Sequence, residues 1–111
     1  MAQFHCSGWW EQDGYGRQPM SDFQLSFTNG RIFGSGTDMV GDFEMEGVLE
    51  EGKIYLRKQY IGKHEIEYHG ISVGEGGYTG IWSGLGYPGG KWFIGVIRSA
   101  SASDVQEIGS D

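Results

Sequence analysis

Residues 42–60 have the sequence DFEMEGVLEEGKIYLRKQY, in which two segments of alternating apolar and polar residues flank Glu51-Gly52. Such alternation is typical of a β-strand with one buried face. With Glu51-Gly52 as a two-residue turn, apolar side chains meet on one face and opposite charges meet on the other. The segment is therefore predicted to be an antiparallel hairpin. The predicted pairs are Leu49 with Ile54, Gly47 with Leu56 and Phe43 with Tyr60 inside, and Glu50 with Lys53 and Glu46 with Arg57 outside.

Two further hairpins follow from the same criteria. A three-residue loop at 61–63 is predicted, because a two-residue loop would place Leu56 opposite Glu67. Asn29-Gly30 is the strongest short hairpin signal in the chain. Arg57 is predicted to lie between Glu46 and Glu67. The pairs are Tyr60 with His64, Leu56 with Tyr68 and Arg57 with Glu67 around the first loop, and Phe27 with Ile32 and Leu25 with Gly34 around the second.

Alternation continues through the chain, with glycine recurring about every ten residues, as expected of an antiparallel meander. The longest connections are predicted at 11–20 and 84–90, which are rich in turn residues. Residues 1–98 are predicted to form one domain and residues 99–111 a polar tail. The predicted strands are 3–11, 21–28, 31–36, 42–50, 53–60, 64–73, 77–83 and 91–98.

Eight antiparallel strands with one apolar face and no covering helix must close on themselves or stack as two sheets. We expect an all-β fold, in which an up-and-down eight-stranded meander closes into a barrel. Inward glycines fit strongly coiled strands; they are Gly34, Gly36, Gly47, Gly70 and Gly80. The large side chains expected inside are Trp10, Phe23, Phe43, Tyr68, Trp82 and Phe93.

Composition and charge narrow the class of protein. Glycine makes up 21 of the 111 residues, and with only 2 prolines and no Gly-X-Y period the composition excludes collagen. Eight Lys and Arg against fifteen Asp and Glu give a net charge of −7. Because no basic cluster stands out, neither nucleic acid nor a membrane is an expected partner.

The amino-terminal residues bear on compartment. Cys6 is the only cysteine, so a disulfide within the chain is excluded and the residue is expected to be a small buried hydrophobe. Residues 1–10, MAQFHCSGWW, lack a basic segment followed by an apolar run. No secretory signal peptide is therefore predicted, and the expected location is cytoplasmic.

Two stretches resemble known barrel proteins. Gly8-Trp9-Trp10 resembles the Gly-x-Trp opening of lipocalins and avidin-like barrels, the calycin group. Residues 33–43, FGSGTDMVGDF, together with Lys58-Gln59-Tyr60, His64 and Tyr68-His69-Gly70, are similar to a recurring and mostly uncharacterised small β-barrel domain. The resemblance covers residues 4–95. It implies a lipocalin-like or streptavidin-like barrel, whose relatives hold small ligands inside.

One group of polar residues falls on the predicted inner face. Lys58 shares that face with Tyr60, His64 and Tyr68, and a buried lysine needs a partner. Asp38 precedes the strand of Phe43 and is predicted to approach the barrel end where Tyr60 and His64 lie. The residues predicted to bind a small, partly apolar ligand are Trp10, Asp38, Phe43, Lys58, Tyr60, His64, Tyr68 and Trp82.

The same residues are open to other interpretations. In a second interpretation, they form a hydrogen-bonded plug in a filled barrel that has a structural or assembly role. In a third, the side chain of Lys58 packs along Tyr60 and its ammonium reaches solvent. In an isomerase-type enzyme, His64 or Lys58 would be a general base held by Asp38, with Tyr60 as the acid. No nucleophile elbow or phosphate loop supports catalysis, so no catalytic residue is assigned.

The spacing of the histidines bears on metal binding. His64 and His69 are an odd number apart on one strand and should point to opposite faces, so neither a metal nor a cofactor is predicted.

Outward apolar side chains exceed what a solitary small barrel needs, which makes a homo-oligomer a further expectation. These side chains are Trp9, Phe33, Tyr55, Ile71 and Ile81.

Overall fold

The computed structural model describes residues 2–99, which form eight antiparallel strands and no helix. Each strand pairs with its neighbours in the chain, and β8 returns to pair with β1, so the sheet is closed. The predicted all-β, up-and-down barrel is confirmed. The strands are β1 (Ala2–Gln12), β2 (Gly16–Thr28), β3 (Arg31–Thr37), β4 (Asp42–Glu50), β5 (Lys53–Tyr60), β6 (Glu65–Gly74), β7 (Gly77–Gly84) and β8 (Tyr87–Ser99).

The predicted registers are confirmed at all three hairpins. Across β4 and β5, Glu46 lies opposite Arg57 and Phe43 opposite Tyr60. Leu56 lies opposite Tyr68 across β5 and β6, and Leu25 lies opposite Gly34 across β2 and β3. The turn residues Asn29-Gly30 and Glu51-Gly52 all have positive φ, which matches the twist of a two-residue hairpin turn.

The ion pair of Arg57 differs in one partner from the prediction. Arg57 contacts Glu46 at 2.5 Å as expected, but its second carboxylate is Glu65, at 3.9 Å, and not Glu67. The long arginine side chain reaches the diagonal neighbour on β6. Glu67 lies instead beside His69, 3.3 Å away.

Two predicted connections are shorter than expected. Residues 11–20 pair as strand up to Gln12 opposite Gly16, which leaves a turn of only three residues. Pro19 does not interrupt the barrel, because β2 pairs with β3 only from Ser21 onwards. Leu85-Gly86, both with positive φ, form a two-residue turn where the longer connection 84–90 was predicted.

A register shift in the pairing of β7 with β8, between Trp82 and Gly84, changes which aromatic side chain of β8 points inward. Gly80, on the inner face of β7, lies opposite Trp92, and Trp92 is fully buried. Phe93, which was predicted to point inward, stacks on Trp9 outside with ring centroids 6.2 Å apart. The prediction for Phe93 was therefore wrong by one residue of register.

The inward glycines allow neighbouring strands to approach closely. A Cβ atom on Gly47 would overlap the backbone carbonyl of Tyr55, and one on Gly80 would overlap that of His69. Side chains fill the barrel between these strands over most of its length. The largest fully buried ones are Trp92, Tyr68, Phe43, Lys58, Leu25, Ile32, Leu56 and Ile94.

Cys6 lies in the core, and the predicted outward apolar residues differ in their exposure. Cys6 is buried as expected, and burial raises the pKa of its thiol to about 11. Phe33, Ile71 and Ile81 are exposed, whereas Trp9 is half-buried. Arg17 covers Trp9 with its guanidinium 3.7 Å from the ring centroid. Tyr55, the fifth of these residues, is also half-buried.

One expectation, the polar tail, remains at the level of the sequence. Residues 99–111, the predicted tail, lie outside the described residues except for the first position, which ends β8. Across residues 2–99 there is no helix long and apolar enough to cross a membrane.

Candidate functional site

The candidate site lies at one end of the barrel, which we call the mouth. Successive turns of a meander alternate between its two ends, so every second connection lies at the mouth. These are residues 13–15, 38–41, 61–64 and 85–86. The opposite end has the turns 29–30, 51–52 and 75–76.

Asp38 is the centre of the polar network at the mouth. Its side chain is fully buried, and Oδ2 accepts hydrogen bonds from Lys58 Nζ at 2.7 Å, Tyr60 Oη at 2.7 Å and Trp10 Nε1 at 3.1 Å. Oδ1 accepts a bond from the backbone N–H of Val40 at 2.9 Å. Both carboxylate oxygens are thus satisfied, as burial of a charge requires.

Lys58 faces Asp38 from the inner face of β5, and only 1% of its side chain is exposed. The alternative in which Lys58 reaches solvent is therefore wrong. Its ammonium also donates to Tyr68 Oη at 3.2 Å and lies 3.6 Å from Met20 Sδ. Aromatic rings surround the charge at cation–π distances. The ring centroids lie 4.3 Å (Phe43), 4.8 Å (Tyr60), 5.4 Å (Tyr68) and 5.6 Å (Trp10) from Nζ.

The two charges shift each other's pKa in opposition to burial. Burial lowers the pKa of Lys58 to about 8, although the Asp38 carboxylate pulls it upwards. Burial alone would raise the pKa of Asp38, but the Lys58 ammonium and the bonds from Lys58, Tyr60 and Val40 hold it below its usual value. At neutral pH the pair is ionised, and each charge depends on the other.

The two tyrosines carry their protons over the whole physiological range. Burial raises the pKa of Tyr60, and the bond to Asp38 raises it further. Burial and the charge of Asp38 raise the pKa of Tyr68 as well. Tyr60 therefore acts as a donor to Asp38, while Tyr68 accepts from Lys58.

The connection 38–41 places Asp38 by means of its own backbone. Asp38 and Gly41 exchange two backbone hydrogen bonds, each 3.1 Å long. Gly41 has a φ of 150°, which side chains rarely adopt, so glycine suits this closed loop. Lys63 Nζ donates to the carbonyl of Val40 at 2.6 Å from across the mouth.

A cavity of about 60 Å³ opens at the mouth beside this network. One water molecule needs roughly 10–15 Å³ of such space, so the cavity admits a group of a few heavy atoms. Gln12 and His64 provide polar edges, and the remaining lining is mainly aromatic or aliphatic. The lining residues are Trp10, Gln12, Val40, Tyr60, His64, Ile66, Tyr68, Trp82 and Leu85.

The walls of the cavity are fixed by contacts of their own. Trp10 and Trp82 meet edge to face, with centroids 6.2 Å apart and an angle of 85°. Trp82 Nε1 donates to the carbonyl of Glu11 at 2.8 Å. The His64 ring lies against Tyr60 at 5.1 Å between centroids. The cavity is thus bounded by side chains held in place before any ligand arrives.

All eight predicted site residues lie at the mouth, but they divide into two groups. Those of the buried network, including the ring of Phe43, are Trp10, Asp38, Phe43, Lys58, Tyr60 and Tyr68. His64 and Trp82 line only the cavity, whereas Trp10, Tyr60 and Tyr68 of the network also line it. Asp38 and His64 share no hydrogen bond among the described residues: Tyr60 donates to Asp38, and the Tyr60 ring lies against His64.

Sequence reasoning missed part of the site. Met20 beside Lys58, and Gln12 and Leu85 at the cavity, fall in or next to stretches that were predicted to be connections. Val40 and Ile66 had no role assigned. Met20 was missed because β2 was predicted to start at residue 21. The strand begins at Gly16, and Met20 lies opposite Gly8 of β1.

Comparisons with protein-family models, with curated proteins and with solved structures find no match for this chain. Any function must therefore be argued from the mouth itself.

Proposed function

We propose that the protein is a binding module that holds a small, partly apolar ligand in the mouth of its barrel. The observation that carries this proposal is the cavity between Trp10, His64 and Trp82. Ligand sites typically combine apolar walls with a few well-placed polar groups. Here Gln12 and His64 are the polar edges of an otherwise aromatic and aliphatic lining.

The filled interior limits where a ligand can lie. Below the mouth, Tyr68 stacks on Trp92 with centroids 5.0 Å apart, and both side chains are fully buried. A ligand therefore places only a small group inside the barrel and leaves the rest at the rim. This favours compounds with one compact end over long hydrocarbon chains.

The geometry gives less support to the isomerase-type alternative. A general base needs an open site next to its substrate. The carboxylate of Asp38, which would hold such a base, is already bonded to Lys58, Tyr60 and Trp10 and has no exposed side-chain surface. The calycin resemblance of Gly8-Trp9-Trp10 agrees with ligand binding, and we propose kinship with that group on the same footing.

A native mass spectrum of gently purified protein, recorded beside a denaturing one, tests this function. We expect a reproducible excess mass that is lost on denaturation. Ile66→Phe fills the cavity from β6 and should abolish the excess mass. Ile71→Phe is the matched control, because it adds the same volume on the exposed face of the same strand.

Two outcomes of this experiment distinguish a ligand in the mouth from a filled barrel. Loss of the excess mass in Ile66→Phe but not in Ile71→Phe supports a ligand in the mouth. A bare mass for wild type, together with no binding of small neutral probes such as acetone and isopropanol, contradicts it. The filled-barrel alternative, in which the network only closes the barrel end, would then stand.

A further inference from the structure

We infer that Lys58, Trp10 and Tyr60 form a carboxylate-binding site that the chain's own Asp38 occupies, and that the ligand at the mouth is a small carboxylic acid which displaces Asp38. This inference rests on the proposed function, because it names the ligand class for the same site. Three donors from three different side chains converge on one oxygen atom, Asp38 Oδ2, at 2.7–3.1 Å.

The donors and the acceptor come from different kinds of structure. Trp10 lies on β1, and Lys58 and Tyr60 lie on β5, so the strands of the closed sheet hold all three donors. Asp38 lies in the connection 38–41 between β3 and β4. The acceptor therefore lies on the tip of the β3–β4 hairpin, beyond the Thr37–Asp42 pair, and a movement of this tip as a unit leaves the rest of the sheet paired.

The bonds that hold connection 38–41 in place are few. Within residues 2–99, and apart from those of the Asp38 carboxylate, they are the bonds between Asp38 and Gly41 and the bond from Lys63 to Val40. The first are internal to the loop and can move with it. Outward movement therefore breaks the three bonds to Asp38 Oδ2 and the bond from Lys63, and it removes Val40 from its packing against the core.

Removal of the loop joins the donor site to the cavity. Val40 lines the cavity, and its N–H holds the other oxygen of Asp38. Trp10 and Tyr60 belong to both places, since each donates to Asp38 and lines the cavity. When Asp38 and Val40 leave together, a carboxylate at Lys58 would have its apolar body between Tyr60, Trp10 and the cavity walls.

Charge decides the class of ligand. A buried ammonium without a counter-ion is strongly unfavourable. An anion that replaces Asp38 keeps Lys58 paired, whereas a neutral ligand or a cation would leave it alone inside a ring of aromatic side chains. One oxygen of such a carboxylate takes the place of Asp38 Oδ2, on which Lys58, Tyr60 and Trp10 converge.

The test uses Asp38→Ala, which removes the internal carboxylate, and formate, which has the size of the deleted group. We expect formate to raise the thermal midpoint of Asp38→Ala by several degrees in a saturable manner, and to bind it at least tenfold more tightly than wild type. Formamide, the neutral analogue, should have no such effect. Where Asp38→Ala is unfolded alone, refolding should depend on formate and not on formamide.

Two further arms complete the experiment. The double variant Asp38→Ala/Lys58→Met lacks both charges and should fold without formate and ignore it. In wild type, propionate should shift the amide signals of residues 38–41 in NMR spectra, as the loop is displaced. Equal responses of Asp38→Ala to formate and formamide would overturn the carboxylate site.

The remaining outcome separates this inference from the proposed function. If formate rescues Asp38→Ala but no carboxylate displaces the loop in wild type, Asp38 is a permanent plug and the ligand class is wrong. Acetone or isopropanol in the cavity would then still support a ligand at the mouth. If neutral probes also fail to bind, the proposed function falls as well.

Discussion

Lys58→Met isolates the contribution of the buried charge. Methionine retains most of the aliphatic stem that packs among Phe43, Tyr60 and Tyr68, but it removes the ammonium. Asp38 is then left buried with its bonds from Tyr60, Trp10 and Val40 and without a cation. Any loss of stability therefore reports the unpaired carboxylate and not a cavity.

The size of the effect follows from the burial of both partners. Neither side chain is more than 1% exposed, so solvent does not screen the pair. Removal of one partner from a buried ion pair costs about 3–5 kcal/mol. Since small domains have unfolding free energies of about 5–15 kcal/mol, the variant should lose a large part of its stability.

Urea unfolding monitored by tryptophan fluorescence measures this loss. Lys91→Met is the matched control, because Lys91 is exposed on β8, and it should change stability by less than about 0.5 kcal/mol. Lys58→Met/Asp38→Asn removes both charges and should recover most of the stability. The reasoning is refuted if Lys58→Met lies within about 1 kcal/mol of wild type, since an unpaired buried charge costs several times that.

Tyr60→Phe removes one bond to the Asp38 carboxylate and should cost about 1.5–3 kcal/mol in urea unfolding; no change would mean that the 2.7 Å bond is not made in solution. The unfolded chain holds more protons than the folded protein between the lowered pKa of Lys58, about 8, and its ordinary value of 10.5, so the Lys58 contribution to stability should rise with pH in this window. Subtracting the pH profile of Lys58→Met from that of wild type should reveal this slope, and a flat difference contradicts it. At low pH the lowered pKa of Asp38 acts with the same sign: its contribution is present above the ordinary aspartate value and is lost as pH falls through the folded value. Gly80→Ala should destabilise the barrel by about 1–3 kcal/mol, because the new Cβ overlaps a backbone carbonyl of β6; a thermal midpoint equal to wild type would show that the strands can move apart. Sedimentation at high micromolar concentration tests the predicted homo-oligomer: Ile81→Lys should shift the protein towards monomer, and a monomeric wild type ends that prediction.

Much of the fold could be predicted because turn chemistry and side-chain parity agree. Glu51-Gly52 and Asn29-Gly30 each fix a register that also matches charges outside and apolar residues inside. The errors lie in segments whose glycine and proline content is typical of loops although the segments pair as strands. Residues 16–20 contain glycine and proline, yet they pair with β1, because β3 does not reach them.

The polar centre of the site was predictable for a different reason. An inward lysine needs a buried partner, and the loop that contains Asp38 leads to the correct end of the barrel. The bond from Trp10 Nε1 could not be predicted, since it depends on the rotamer of the indole and on the conformation of residues 38–41. The cavity depends in the same way on how Trp82, His64 and Leu85 pack together.

The four tryptophans allow the most direct test of a ligand site at the mouth, because their indole N–H signals report four different places. Trp10 and Trp82 line the cavity, whereas Trp9 lies on the outer face and Trp92 in the filled core. We would titrate wild-type protein with acetone, isopropanol and propionate in separate NMR experiments. We expect saturable shifts of Trp10 and Trp82 with at least one probe, while Trp9 and Trp92 stay unchanged. Shifts confined to Trp9, or no saturable shift with any probe, would contradict a ligand site at the mouth.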